Sequence, residues 1–282
     1  VCVAAAMPAY ARPTRIDDAL KLLARGGRTV LAGGTDFYPA RVGKPLGGDV
    51  LDLTALPQLR GIVGRSDHWR IGATTTWAEV IAAKLPPIFD CLKLAAREVG
   101  GQQIQNTGTV AGNLCNASPA ADGVPPLLAL DASVEVASTD GVRALPLAQF
   151  IIGPRKTVLA PNEIVTAILV PKTAHEAKSG FLKLGARKYL VISIAMVAAV
   201  IEHEAGVVRA ARIAVGACSP VAKRLPDLEQ HLVGKRLDAD LADCIKSEHL
   251  GALSAIDDLR GSAAYRIEAV QVLLRRLLAQ MA

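Results

Sequence analysis

The chain has 282 residues, of which 51% are hydrophobic, 21% charged and 4% aromatic. At roughly 100–200 residues per domain it holds two domains, or one with an appendage, and its apolar content excludes a disordered protein. Its 32 basic against 26 acidic residues give a net charge of +6, scattered rather than gathered into a basic stripe with aromatics, so nucleic acid is not an expected partner.

No membrane partner is expected either. The longest apolar run, Tyr189–Ile201, is 13 residues and contains Ser193, short of the about 18–20 that a spanning helix needs. Residues 1–6 are apolar but too few for a signal peptide and have no basic residue before them. With Met7 ahead of Pro8-Ala9-Tyr10, they read as a processed or appended extension, and the chain reads as cytoplasmic. Cys2, Cys91, Cys115, Cys218 and Cys244 lie far apart with no C-x-x-C. That spacing suits buried thiols in a reducing compartment and offers no cluster or zinc set.

In chain order, Ile16, Ala19, Leu20, Leu23 and Ala24 recur with helical period. Thr14 with Asp17 resembles a capping box there, and Gly26 is a stop. Thr29–Ala32 reads as a strand ending in Gly33-Gly34, followed by strands near Val50–Leu53 and Trp69–Ala73. Thr76 and Glu79 open a second helix, Pro86-Pro87 break it, and a third runs from about Ile88 to Val99.

The stretch Gln102–Pro126 is rich in Gly, Asn, Ser and Pro and weakly periodic. At that length it reads as an ordered, functional loop. A hairpin follows (Ser133–Ala137, Ala144–Leu147), then a strand at Asn162–Val170 and a polar linker at Lys172–Ser179. Phe181–Leu184, Val191–Ile201 and Arg209–Cys218 read as an antiparallel sheet. Two or three helices close the chain, the last from Ser262 to Gln280. Strands followed by helices in one segment predict an α+β second domain. The division expected is an extension at 1–6, a first domain at 7–172 and a second at 179–282.

Two motifs carry chemistry. Leu31-Ala32-Gly33-Gly34-Thr35-Asp36 is a strand running into a diglycine bend, where glycines permit positive φ and successive N–H groups form a nest for phosphate oxygens. Alone it is better read as an ordinary strand-end turn. Thr109-Val110-Ala111-Gly112-Asn113 is a second small, hydroxylated bend. Together they can clamp a diphosphate, yet neither matches a Rossmann or P-loop pattern. The five histidines are isolated in sequence and receive no role, and no acid–base pair or nucleophile stands out.

The run Gln103-Ile104-Gln105-Asn106-Thr107-Gly108-Thr109-Val110-Ala111-Gly112-Asn113, continuing to Asp122, closely resembles the signature of the FAD-binding subunit of molybdenum hydroxylases. These are the medium subunits of the xanthine dehydrogenase and aerobic carbon monoxide dehydrogenase family. The Ala32–Asp36 bend resembles their first flavin loop, and Phe181–Gly185 with Ile192–Ala199 the start of their C-terminal domain. The resemblance implies an α+β fold: a two-part FAD-binding domain of the vanillyl-alcohol oxidase (PCMH) type, then a small α+β C-terminal domain. It implies FAD held by Ala32, Gly33, Gly34, Thr35 and Asp36 in one loop and by Thr109, Val110, Ala111, Gly112 and Asn113 in the other. Asp122 would bond the flavin's polar side and Lys183 would reach it from the second domain. It further implies a large partner chain with a molybdenum cofactor and a small partner with [2Fe-2S] clusters, as a dimer of heterotrimers.

Each residue has a plainer alternative: Asp122 as a helix cap, Lys183 as a solvated strand lysine, Asn113 as a partner for loop backbone. The chain also departs from the family. Ala111 stands where glycine is usual; if that position needs positive φ, its Cβ costs about 1–2 kcal/mol. Gln105 and Thr107 replace basic residues, and Val191 replaces an acidic or aromatic one. A stand-alone flavin oxidase and a flavin-free scaffold therefore remain the alternatives to an electron-transfer subunit.

Overall fold

The computed structural model describes residues 9–44 and 47–282, so the extension read at residues 1–6 lies outside the described residues. The first strand, β1 (Tyr10–Ala11), leads to helix α1 (Ile16–Ala24), which buries Ala19, Leu20 and Leu23. The chain returns in β2 (Arg28–Leu31), and β3 (Asp49–Asp52) inserts between β1 and β2, parallel to both. The predicted Thr14–Asp17 box is not made. The helix starts one residue later, with Arg15 as N-cap and no side-chain cap, which moves Asp17 out of the position that reaches back.

Strands β4 (Ile62–Gly64) and β5 (His68–Gly72) begin a second sheet. In helix α2 (Trp77–Ala82) the predicted box is present: Thr76 Oγ1 accepts the Glu79 N–H at 3.3 Å and Glu79 Oε2 accepts the Thr76 N–H at 2.8 Å. After a 3₁₀ turn at Pro87–Phe89 comes α3 (Asp90–Glu98). The stretch read as a functional loop is instead mostly helical: α4 (Gln102–Thr107), α5 (Val110–Asn116) and α6 (Val124–Ala129). Helices of six or seven residues span under two turns, too short for a 3.6 period to repeat, and α6 is buried along its whole length.

Strands β6 (Ser133–Ser138) and β7 (Gly141–Pro146) form the predicted hairpin. Helix α7 (Leu147–Phe150) and a small hairpin of β8 (Ile151–Gly153) and β9 (Lys156–Thr157) follow. Strand β10 (Ile164–Pro171) then inserts between β5 and β6, antiparallel to both, completing a five-stranded sheet.

The remaining strands, β11 (Glu176–Leu184), β12 (Ala195–Glu204), β13 (Val207–Gly216) and β14 (Lys223–Arg224), are antiparallel in sequence order. Strand β11 starts at Glu176, opposite His203, so half of the predicted linker is strand; its outward residues are polar because they face water at a sheet edge. Strand β12 starts at Ala195, later than the predicted Val191. Helices α8 (Pro226–Leu232) and α9 (Ala263–Met281) cover one face of this sheet. The two-part first domain and the α+β second domain are both present.

Alternate residues of β12 enter two cores. Met196, Ala198 and Val200 join Trp77, Phe89 and Phe150 of the first domain, while Ala195, Val197, Ala199 and Ile201 pack with Leu274 and Leu278 of α9. The long apolar run thus includes a strand buried on both faces. Polar contacts reinforce the seam: Ser179 Oγ accepts the Cys91 N–H (3.0 Å) and donates to Pro87 O (2.7 Å), and Arg212 Nε donates to Ala129 O (2.9 Å). Among the described residues no helix is long and apolar enough to cross a membrane.

Leu274 is fully buried, so Leu274→Ala is expected to cost about 2–5 kcal/mol. Urea unfolding should show a lower midpoint with unchanged slope, and an unaltered midpoint would remove α9 from the second core.

Candidate functional site

The first bend leaves β2 at Leu31, whose carbonyl accepts the Leu53 N–H at 2.9 Å. Gly34 takes φ +74°, and the Tyr38 and Ala40 N–H groups close the turn on Gly34 O and Asp36 O. Among the described residues no protein acceptor faces the backbone N–H groups of Gly33, Gly34, Thr35 or Asp36. Consecutive unpaired amides of this kind form an anion nest.

The second bend is held against the residues that lead into α2. Val110 N–H donates to Thr75 O (3.0 Å), Trp77 N–H donates to Gly108 O (3.1 Å), and Thr109 pairs with Thr76 in an isolated bridge. Thr109 is the N-cap of α5, its Oγ1 accepting the Gly112 N–H at 3.0 Å. Ala111 lies inside this helix, so the positive-φ cost that a missing glycine raised does not arise.

The two bends touch. A Cβ on Gly33 would lie 2.0 Å from the Thr107 carbonyl oxygen, and one on Gly108 would lie 3.5 Å from the Thr35 hydroxyl. Beside this contact opens a cleft of ≈ 200 Å³, lined by Ala32, Gly33 and Thr109 with Thr74, Thr76 and Arg60. Arg60 Nε bonds Glu79 Oε1 at 2.7 Å. Partial burial opposes ionisation of Glu79, yet the Thr76 N–H and Arg60 hold its carboxyl below the usual range. Backbone amides, the Thr109 hydroxyl and a guanidinium, with no carboxylate in the wall, make a donor set suited to a diphosphate, while the Thr74 and Thr76 hydroxyls are spent on Leu59 O and Glu79 Oε2.

Asp122 and Lys183 do not line this cleft. They meet each other across the domain seam: Lys183 Nζ lies 2.7 Å from Asp122 Oδ2, and Ser193 Oγ donates to Asp122 Oδ1 at 2.6 Å. Their side chains are 6% and 10% exposed, respectively, for Lys183 and Asp122. Burial pushes the Asp122 carboxyl up, while Lys183 and Ser193 pull it back. Asp122 caps no helix, since Gly123 is the N-cap of α6. Lys183 also borders a cavity of ≈ 570 Å³ with Leu94, Glu98, Phe181 and Arg187. Asn113 matches its plainer alternative, with Oδ1 accepting the Gly123 N–H at 3.3 Å.

Of the remaining positions, Asp36 is exposed and Val110 and Ala111 are buried beneath the second bend. Val191, in the predicted β12, precedes that strand. Sequence reasoning missed Arg60, Thr74 and Asn106, all in the cleft wall, and Ser193 beside Asp122; the run Thr74-Thr75-Thr76 after a strand was the available signal for one of them. The histidines are not all isolated, since the His231 and His249 rings lie 5.0 Å apart.

Comparison with known proteins bears on this geometry. Residues 5–173 match the family described as the FAD binding domain in molybdopterin dehydrogenase, and residues 181–281 match the CO dehydrogenase flavoprotein C-terminal domain. The chain is 32% identical to the nicotine 6-hydroxylase medium subunit of Paenarthrobacter nicotinovorans, over 96% of each chain. It is 30% identical to the xanthine dehydrogenase FAD-binding subunit of Escherichia coli O157:H7, over 96% of this chain and 94% of that one. Among solved structures, carbon monoxide dehydrogenase from Hydrogenophaga pseudoflava superposes with a TM-score of 0.85 at 27% identity, covering 98% of this chain and 97% of that one.

Gly33→Ala is expected to force the bends apart and weaken FAD uptake by about tenfold or more, or about 1.4 kcal/mol. Gly26→Ala, at φ +77° in open space, should cost about 1–2 kcal/mol of stability and leave uptake unchanged; flavin titration separates the two. Asp122→Asn strands a buried ammonium and should cost about 3–5 kcal/mol. The double variant with Lys183→Met should lose less than the sum of the single variants in urea unfolding; simple additivity would dissolve the pair.

Proposed function

Since the chain belongs to the FAD-binding (medium) subunit family of the molybdenum hydroxylases, an oxidoreductase family, we propose that it is the electron-transfer flavoprotein subunit of a multi-subunit hydroxylase or dehydrogenase. In this reading a large partner chain with a molybdenum cofactor oxidises the substrate. A small partner with [2Fe-2S] clusters relays the electrons, which finally reach NAD, oxygen or another acceptor. The assembly is a dimer of heterotrimers in the cytoplasm. FAD, when bound, supplies the redox chemistry, and the protein supplies position and electrostatics.

The observation that carries the reading is the convergence of two bends beside one cleft, the first of which has backbone amides that meet no protein acceptor among the described residues. The amides of Gly33–Asp36 hold one side of the diphosphate. Thr109 and the first turn of α5, Val110 to Asn113, hold the other, and Arg60 offsets its charge. Ala32 and Gly33 keep the floor clear of side chains. Asp122 and Lys183 serve the flavin's polar edge from the seam, where Lys183 borders the neighbouring cavity. The breadth of the relatives, nearly end to end in both chains, supports a role shared across substrates.

Gel filtration of the natively expressed chain with an absorption spectrum tests the proposal. The expected result is a yellow complex of three kinds of chain that releases FAD on acidification. A yellow chain migrating alone would instead indicate an autonomous oxidase, and a colourless chain within a complex a scaffold.

A further inference from the structure

A groove of ≈ 390 Å³ runs along the seam between the domains, walled by Ser118, Pro119 and Arg155 on one side and by Ile192, Ser193 and Ile256 on the other. Three guanidinium groups, of Arg155, Arg260 and Arg266, enter its wall beside a single carboxylate, that of Asp258. Both oxygens of that carboxylate are occupied. Oδ1 accepts the Arg260 N–H (2.8 Å) and Arg266 Nη2 (2.7 Å), and Oδ2 accepts Arg260 Nη1 (3.0 Å). Positive charge is therefore in excess. Arg266 is 3% exposed, and its Nε has no partner among the described residues.

The rim has a different character. Asp258 and Gly261 exchange two backbone hydrogen bonds of 3.2 Å, closing a tight turn with Leu259 and Arg260 at its tip. Leu259 is 93% exposed, and Ile192 and Ile256 are each more than half exposed. Holding such side chains in water forgoes the free energy of burying them. Clustered exposed apolar groups of this kind mark interaction sites.

We propose that this groove docks a partner chain of the complex, which lays an extended segment along the seam. A carboxylate of that segment sits between Arg155 and Arg260, and its apolar side chains cover Ile192, Ile256 and Leu259. Charge complementarity selects an acidic segment. Leu259 lies outside the groove wall, so a ligand small enough to fill the groove leaves it in water, whereas a macromolecule covers both. The inference rests on the multi-subunit reading above. It also links docking to the Asp122–Lys183 pair, because Ser193 in the groove wall bonds Asp122 and Arg266 Nη1 holds Ile194 O at 2.5 Å.

Hydrogen exchange on the purified complex and on the isolated chain tests it. Amides of residues 192–194 and 256–261 should exchange about tenfold or more slowly in the complex. The double variant Leu259→Asp with Arg260→Glu should raise the dissociation constant for the partner chains about tenfold or more while keeping its flavin and melting temperature. Val233→Asp, at an exposed apolar site outside the groove, should assemble normally. Equal exchange in both samples, or full assembly of the double variant, overturns the proposal. So does slowing of these amides in the isolated chain by benzoate or by raised chain concentration without slowing in the complex, which reassigns the groove to a small carboxylate or a second copy. If wild-type chain brings down no partner at all, the multi-subunit reading itself fails.

Discussion

The first bend passes so close to the end of α4 that the hydrogen on Gly33 is all that separates its Cα from the Thr107 carbonyl; a Cβ there would lie 2.0 Å from that oxygen. This contact sets the width of the cleft. The second bend cannot retreat, because the Val110 amide ties it to the Thr75 carbonyl and the Trp77 amide holds the carbonyl of the adjoining Gly108. With both sides fixed, Ala32 and Gly33 of the first bend border the same volume as Thr109 and Arg60. A donor set held this way needs little reorganisation when an anion arrives, which is the advantage of a preformed site.

The second domain is joined to that cleft by shared packing. Strand β12 supplies side chains to both cores, so the two domains cannot part without exposing apolar surface on one of its faces. Beside this seam the buried Asp122 carboxylate accepts from Lys183 and Ser193, both in the second domain. A buried charge pair adds little net stability over apolar packing, but it penalises misalignment heavily. The apolar seam provides cohesion and the ion pair provides register.

Much of the site was legible because its requirements are local. A diglycine after a strand and the Thr76–Glu79 box depend on residues within a few positions of one another, and each formed as spaced. The region from Gln102 to Pro126 was harder. Its helices are too short to show a period, and α6 is stabilised by burial on all sides rather than by an amphipathic face. Arg60 and Ser193 were missed since nothing in their own neighbourhoods marks them. They matter through Glu79, 19 positions away, and Asp122, 71 positions away.

Local chemistry along the chain thus sufficed for the strand-to-bend motifs and most element identities, while the family and its cofactor were read from the resemblance that the Gln103–Asp122 run carries. Which face of β12 meets which core, that Asp122 and Lys183 satisfy each other, and that a cationic groove with an exposed leucine opens at the seam required the folded chain. The reason is physical. Backbone conformation and capping are set over a few residues, whereas desolvation, ion pairing and surface exposure depend on atoms that folding alone brings into contact.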